Sequence, residues 1–158
     1  MRFVFALILL LVTSPAFAQE SLDHLPVPRW AALAAPEANL RTGPGKRYPI
    51  DWVIKKKALP VEIIQEFEHW RRVRVPDGSD GWIHKSMLTG MRKTLTSKDQ
   101  ELYSNPNDDA RIVAKLQKNV IANLKQCHKT WCEIEVDQYD GWMKKDALWG
   151  VYKDETFD

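Results

Sequence analysis

Cysteine is scarce in this chain. Only Cys127 and Cys132 occur among 158 residues. They are not spaced as C-x-x-C, which argues against a thioredoxin-like redox pair. Zinc needs four protein ligands, or three and a water. Cys127, His128 and Cys132 have no fourth candidate nearby, so no metal and no cofactor is expected. Long apolar runs are absent after residue 12, so no membrane span is expected in the body of the chain. Long 3.6-residue apolar periods are absent too, which argues against a helical fold. His24, His69, His84 and His128 are the only histidines. None stands at a matched position beside a nucleophile, and catalysis by a nucleophile and its base has no nominee.

The one apolar run is at the start. Arg2 precedes Phe3–Val12, followed by Thr13-Ser14-Pro15 and Ala16-Phe17-Ala18. This pattern predicts a signal peptide over 1–18, cut after Ala18. Ten residues of helix rise about 15 Å, half a bilayer core, so the rival reading as a membrane anchor is the poorer one. The expected location is periplasmic or secreted. Residues 19–37 hold Pro26, Pro28 and Pro36 with no strand pattern and are expected to form an extended N-terminal arm.

The rest of the chain is written twice. Asp80-Gly81-Trp82-Ile83-His84-Lys85-Ser86-Met87-Leu88 returns as Asp140-Gly141-Trp142-Met143-Lys144-Lys145-Asp146-Ala147-Leu148. Leu40 to Gly45 matches Leu102 to Asn107, with Gly43 and Gly45 replaced by Asn105 and Asn107. Gly and Asn tolerate positive φ best, so the exchange is expected to preserve a turn. Trp70, Val73 and Val75 match Trp131, Ile134 and Val136. The gaps fall at expected turns. Period-two alternation and recurrent turn signals predict an all-β fold of two small units, 38–95 and 96–158. In each nine-residue phrase Asp-Gly is expected to make the turn, and Leu88 or Leu148 to end the strand inward.

These residues resemble the bacterial SH3 (SH3b) domain family. The resemblance rests on Asn39-Leu40-Arg41-Thr42-Gly43-Pro44-Gly45, Leu59-Pro60-Val61-Glu62-Ile63-Ile64, Trp70, Val73, Gly81-Trp82-Ile83 and Leu88. The second unit keeps Leu102, Pro106, Trp131-Cys132, Gly141-Trp142-Met143 and Leu148. With its ending Leu148-Trp149-Gly150-Val151-Tyr152, the pair is similar to exported tandem-SH3 proteins of Gram-negative bacteria. The resemblance implies two SH3-like small barrels of five strands each. It implies a targeting module, in some members for cell-wall peptides. Polyproline binding is not carried over, because no Ala-Leu-Tyr-Asp-Tyr segment is present.

If Lys129-Thr130 turns a hairpin, Cys127 and Cys132 face each other across two strands. A directly opposed, non-hydrogen-bonded pair brings Cα atoms to about 4.5 Å, within disulfide range. Export favours oxidation. The matching residues of the first unit, Glu66 and Arg71, are expected to form an ion pair at the same place.

Charge is uneven. Residues 38–95 carry 12 Lys and Arg against 6 Asp and Glu, a balance of +6; residues 96–158 carry 9 against 12, a balance of −3. Arg72 and Arg74 alternate with Val73 and Val75, and with Arg41, Lys46 and Arg47 they form a candidate anion-binding patch. Ordinary solvation is the alternative. Trp70 and Trp131 lie out of phase with the inward valines and isoleucine. They are candidate ligand-binding platforms, although packing at an edge or between units is preferred. Trp149, present in one unit only, is expected to help dock the C-terminal end. The expected function is non-enzymatic recognition of a cell-envelope ligand, peptidoglycan or its peptides. The alternative is a scaffold for another envelope protein. Nucleic acid is not an expected partner outside the cytoplasm.

Overall fold

The structure, a computed structural model, describes residues 25–158. The expected signal peptide, and the arm up to residue 24, lie outside the described residues. Two seven-stranded antiparallel sheets follow one another along the chain. The first contains β1 (Arg29–Leu33), β2 (Ala38–Arg41), β3 (Ile50–Ile54), β4 (Pro60–Phe67), β5 (Trp70–Arg74), β6 (Asp80–His84) and β7 (Leu88–Thr89). The second contains β8 (Lys93–Thr96), β9 (Gln100–Tyr103), β10 (Ile112–Leu116), β11 (Ile121–Cys127), β12 (Trp131–Val136), β13 (Tyr139–Lys144) and β14 (Leu148–Trp149). The strand orders, β3-β2-β6-β5-β4-β1-β7 and β10-β9-β13-β12-β11-β8-β14, are the same order moved on by seven. A single 3-10 turn, Lys85–Met87 or Lys145–Ala147, precedes the last strand of each.

Each sheet curls around its own core. Leu33, Leu40, Val61, Ile63, Val73, Ile83 and Leu88 meet in the first; Leu102, Leu124, Ile134, Met143 and Leu148 meet in the second. Side chains alternate between the faces of a strand, so β5 sends Arg71 and Val73 inward and turns Trp70 and Arg72 outward. These are two SH3-like barrels, as the repeat and the resemblance predict. Leu88 and Leu148 do point inward, at 8% and 7% exposure, but each opens the short strand after the 3-10 turn rather than ending the strand that Trp82 or Trp142 enters.

Four sequence expectations need correction. First, Arg29–Leu33 is not an arm but strand β1, inserted between β4 and β7. It escapes pattern reading because both its faces are covered: Ala31 and Leu33 join the first core, while Trp30 packs on Trp149 and Tyr152. A strand buried on both faces shows no alternation. Likewise β8 runs across the expected boundary between residues 95 and 96. Second, with β1 or β8 ahead of each expected unit and a two-residue strand after each 3-10 turn, the sheets have seven strands, not five.

Third, Asp80-Gly81 and Asp140-Gly141 do not make turns; they lie within β6 and β13. The glycine is required by close approach. A Cβ on Gly81 would sit 2.6 Å from Leu40 Cγ and 3.0 Å from the Arg41 carbonyl oxygen; on Gly141 it would sit 2.7 Å from both Leu102 Cγ and the Tyr103 carbonyl oxygen. Fourth, the glycines at positive φ are Gly78 and Gly150, not Gly43 and Gly45. Gly43 is needed because the Tyr48 ring lies against it, where a Cβ would meet Cδ1 at 2.4 Å. The second unit pairs Asn105 with Ala110 at the matching places, so the loss of glycine accompanies the loss of the ring. The turn itself is preserved. Gly45 N–H donates to Gly43 O at 2.9 Å, and Asn107 N–H to Asn105 O at 2.8 Å.

The cross-strand fasteners occur where the repeat places them. Cys127 and Cys132 are directly paired, with Cα atoms 4.1 Å apart, and are joined by a disulfide. Glu66 and Arg71 are paired in the same register, with Arg71 Nε 3.0 Å from Glu66 Oε1. Arg29 also donates to Glu66. Its counterpart one repeat later, Arg92, finds no acid at position 127. It takes Glu155 from the C-terminal segment instead, at 2.5 Å, and lies over the Phe157 ring. That segment pairs with the disulfide hairpin through Cys127 and Phe157.

The barrels touch through aromatic groups. Trp149 Nε1–H donates to the Pro60 carbonyl at 3.0 Å, and its ring meets Trp30 edge-on at 5.0 Å. Tyr152 donates its hydroxyl to Glu62 at 3.1 Å. Burial and the Glu62 carboxylate raise the Tyr152 pKa and keep that proton in place. Trp149 therefore docks the end of the second barrel on the first.

Candidate functional site

Each barrel has a cleft beside the loop after β2 or β9, the first residue of β5 or β12, and the 3-10 turn; only the first extends along β2. The first has a volume of about 470 Å³ and is lined by Glu37, Asn39, Arg41, Lys46, Trp70 and His84, with Ser86 and Met87 beneath. The second, about 540 Å³, contains Asp108, Trp131, Lys144 and Asp146 at the positions of Lys46, Trp70, His84 and Ser86. At these four matched positions the charges are exchanged, which lets one cleft serve as a control for the other; Lys129, Thr130, Lys145, Lys153 and Asp154 complete the second lining without counterparts in the first.

The second cleft has its tryptophan covered. Trp131 is only 8% exposed. Tyr103 meets its ring edge-on at 5.5 Å, and Lys144 Nζ stands 5.3 Å from its centroid. Asp108 holds that ammonium at 2.5 Å, and this hydrogen bond raises the Lys144 pKa. The open volume lies beyond the ring, toward Lys129, Lys153 and Asp154.

The first cleft has no such cap. Lys46 replaces the aspartate and cannot hold a cation in place. Trp70 is partly exposed, and His84 meets it edge-on at 5.4 Å. The His84 pKa is lowered, chiefly by burial and then by the charges of His69, Lys46, Lys85 and Arg71, so the ring is neutral at neutral pH. Its Nδ1 accepts from the Ser86 backbone N–H at 3.3 Å and lies 2.7 Å from Ser86 Oγ. This is a cap on the 3-10 turn: the acceptor is local, two residues away, and satisfies the second backbone donor of the turn, the first being held by the His69 carbonyl. Arg41 rims the cleft but braces the loop, donating to the carbonyls of Lys46 and Tyr48 at 3.2 and 2.8 Å.

The other predicted residues do not join it. Arg72 binds Asp80 at 2.6 Å, and Arg74 binds Glu62 at 2.8 Å. Their outward face is therefore largely neutralised by carboxylates on β4 and β6: register sets Glu62 and Asp80 opposite Arg74, and Arg72 reaches Asp80 diagonally. Arg47 lies over the Tyr48 ring at 5.1 Å, stiffening the loop. The unbroken phase of β5 places Trp70 outward, and His84 covers one of its edges. Sequence reasoning missed His84 and Ser86, because it treated histidine outside the repeat as uninformative. The replacement of His84 by Lys144 was the available signal. Among the described residues, no group of three His, Cys, Asp or Glu is placed to hold a metal ion, and no helix is long and apolar enough to cross a membrane.

Two SH3-like barrels with one cleft each define a tandem module. Residues 34–90 and 96–150 each match the bacterial SH3 domain, and the chain belongs to that family. A relative in Bacillus subtilis (strain 168), named "Putative N-acetylmuramoyl-L-alanine amidase YrvJ", is 26% identical over 131 residues. The match covers 75% of this chain and 25% of that protein, so the chain spans about a quarter of the relative's length. Among solved structures, NlpC2 from Trichomonas vaginalis is similar at a TM-score of 0.37 and 19% identity, over 77% of this chain and 48% of that one. NlpC1 from the same organism gives 0.37 and 18%, over 79% and 46%.

Proposed function

We propose that the protein is a non-catalytic binding module of the cell envelope, periplasmic or secreted, whose first cleft takes a carboxylate-bearing cell-wall peptide. The carrying observation is the contrast between the clefts: Trp70 is accessible beside Lys46 and Arg41, whereas Trp131 is covered by the barrel's own Lys144. An aromatic wall beside cationic groups suits an extended peptide with acidic ends, such as the stem peptides of peptidoglycan. Family membership and a relative named as an amidase of N-acetylmuramoyl-L-alanine support a wall ligand. The non-catalytic reading is supported by the Ser86–His84 contact being a local cap, with Lys144 and Asp146 in its place one repeat later.

The test is co-sedimentation of the chain from Gln19 with purified sacculi at low and high salt. Trp70→Ala and Lys46→Glu are expected to weaken binding about tenfold or more, as loss of an anchor residue does. Arg72→Glu, outside the cleft, is expected to change it little. Absence of sedimentation at any salt, or full binding by Trp70→Ala, refutes the assignment.

A further inference from the structure

Strand β3 is the outer strand of the first sheet and is hydrogen-bonded only to β2. Its other edge offers a row of backbone donors and acceptors, an invitation to strand addition that proteins ordinarily blunt with charge or proline. Here the blunting is partial: Asp51, where β3 shifts register on β2, is the one charged residue within the strand, and Pro49 precedes it. Ile50, Trp52 and Val53 are 46%, 64% and 41% exposed. The second barrel shows the guarded form. There β10 carries Ala114 for Trp52 and Lys115 for Val53, and Lys115 pairs with Glu101 at 3.3 Å.

The cations around β3 stand at its ends, and Asp51 is the one acid within it. Lys46 and Arg47 precede it, and Lys55, Lys56 and Lys57 follow it. A second copy is a poor occupant. Antiparallel pairing of β3 with itself about Trp52 would set Lys57 against Arg47 at both ends, and like charges directly opposed repel. An acidic partner meets the opposite situation. We infer that β3 is a docking edge for an extended segment of another protein, with alternating apolar residues at its centre and Asp or Glu at both ends, which adds as an eighth strand to the first sheet. Main-chain hydrogen bonds would hold the segment. Trp52 and Ile50 would cover its apolar side chains on one face, and the flanking cations would select its acidic ends. This surface shares Lys46 with the rim of the first cleft, while Ile50, Trp52 and Val53 lie outside that cleft's lining.

The test uses a synthetic peptide with an Ile-Thr-Val-Thr-Ile centre and two acidic residues at each end. Controls carry lysine at the ends, or proline at the centre. Titration with the full described chain, read by amide hydrogen exchange, is expected to show new protection along β3 and none along β10. Affinity is expected to fall with salt, and the lysine-ended peptide to bind about tenfold more weakly or worse. Trp52→Ala with Val53→Lys copies the residues that β10 already carries, so folding should survive; binding should be lost while sacculus binding stays unchanged. Equal binding of both charge forms, protection elsewhere than β3, or an unaffected double variant overturns the inference. A concentration-dependent dimer abolished by the double variant also overturns it, by assigning the edge to a second copy.

Discussion

Replacing Glu66 and Arg71 by cysteine should convert the fastener of the first hairpin into that of the second. The Arg71 side chain is 3% exposed and that of Glu66 21%. Truncating Glu66 to alanine removes the carboxylate from a buried guanidinium that also donates to the carbonyls of Glu68 and Trp70, at 2.8 and 3.0 Å. Removing one partner of a buried pair costs about 3 kcal/mol. Glu66→Cys/Arg71→Cys removes both charges at once. The two residues share the register in which Cys127 and Cys132 bring their Cα atoms to 4.1 Å. A bridge across so short a loop contributes about 2 kcal/mol in the loop-entropy account. Arg29 loses the Glu66 carboxylate in either variant, at a cost of about 1 kcal/mol. The oxidised double variant should therefore fall within about 1–2 kcal/mol of wild type and above Glu66→Ala. Urea denaturation with and without reductant measures this, with wild type alongside because reductant also opens Cys127–Cys132. Two free thiols in the oxidised double variant, or a cost below about 1 kcal/mol for Glu66→Ala, would refute the cross-strand equivalence.

Gly43→Ala should destabilise by about 1–3 kcal/mol, the range of overpacking, and Tyr48→Ala in the same chain should recover most of it, copying the ringless second loop; thermal denaturation of the single and double variants checks this. Acid should act on the first cleft. The lowered His84 pKa means the unfolded chain binds the proton more tightly, so the stability contribution present above the ordinary histidine range is lost as pH falls through it. Over that fall, bound carboxylate should gain affinity, because protonated His84 adds a cation beside Lys46. Sedimentation with sacculi between pH 7.5 and 5.5 should rise in wild type and stay level in His84→Gln, and a parallel rise in both would remove His84 from the effect.

What could be read from the residues alone was what is local or repeated. Val73-Arg74-Val75 and Ile134-Glu135-Val136 announce strands because alternation is a property of the chain itself. Cys127 and Cys132 announce a bridge because a two-residue turn leaves little freedom in what lies opposite. The repeat turned Glu66 and Arg71 into a check on that geometry. Family features supplied the barrel. The tertiary structure decided whatever depends on distant residues meeting. Strand β1 was hidden because a second barrel covers its outer face. Gly81 and Gly43 owe their identity to Leu40 and to the Tyr48 ring, not to a turn or to φ. Arg72 and Arg74 read as a basic face until β4 and β6 brought Glu62 and Asp80 beside them. The difference between an open and a capped cleft rests on whether residue 46 or 108 is a lysine or an aspartate, and on where one ammonium can then be held. Alternation and short turns are written in neighbouring residues. Close approach, charge pairing and the covering of an aromatic ring come into being only when strands far apart in the chain are set side by side.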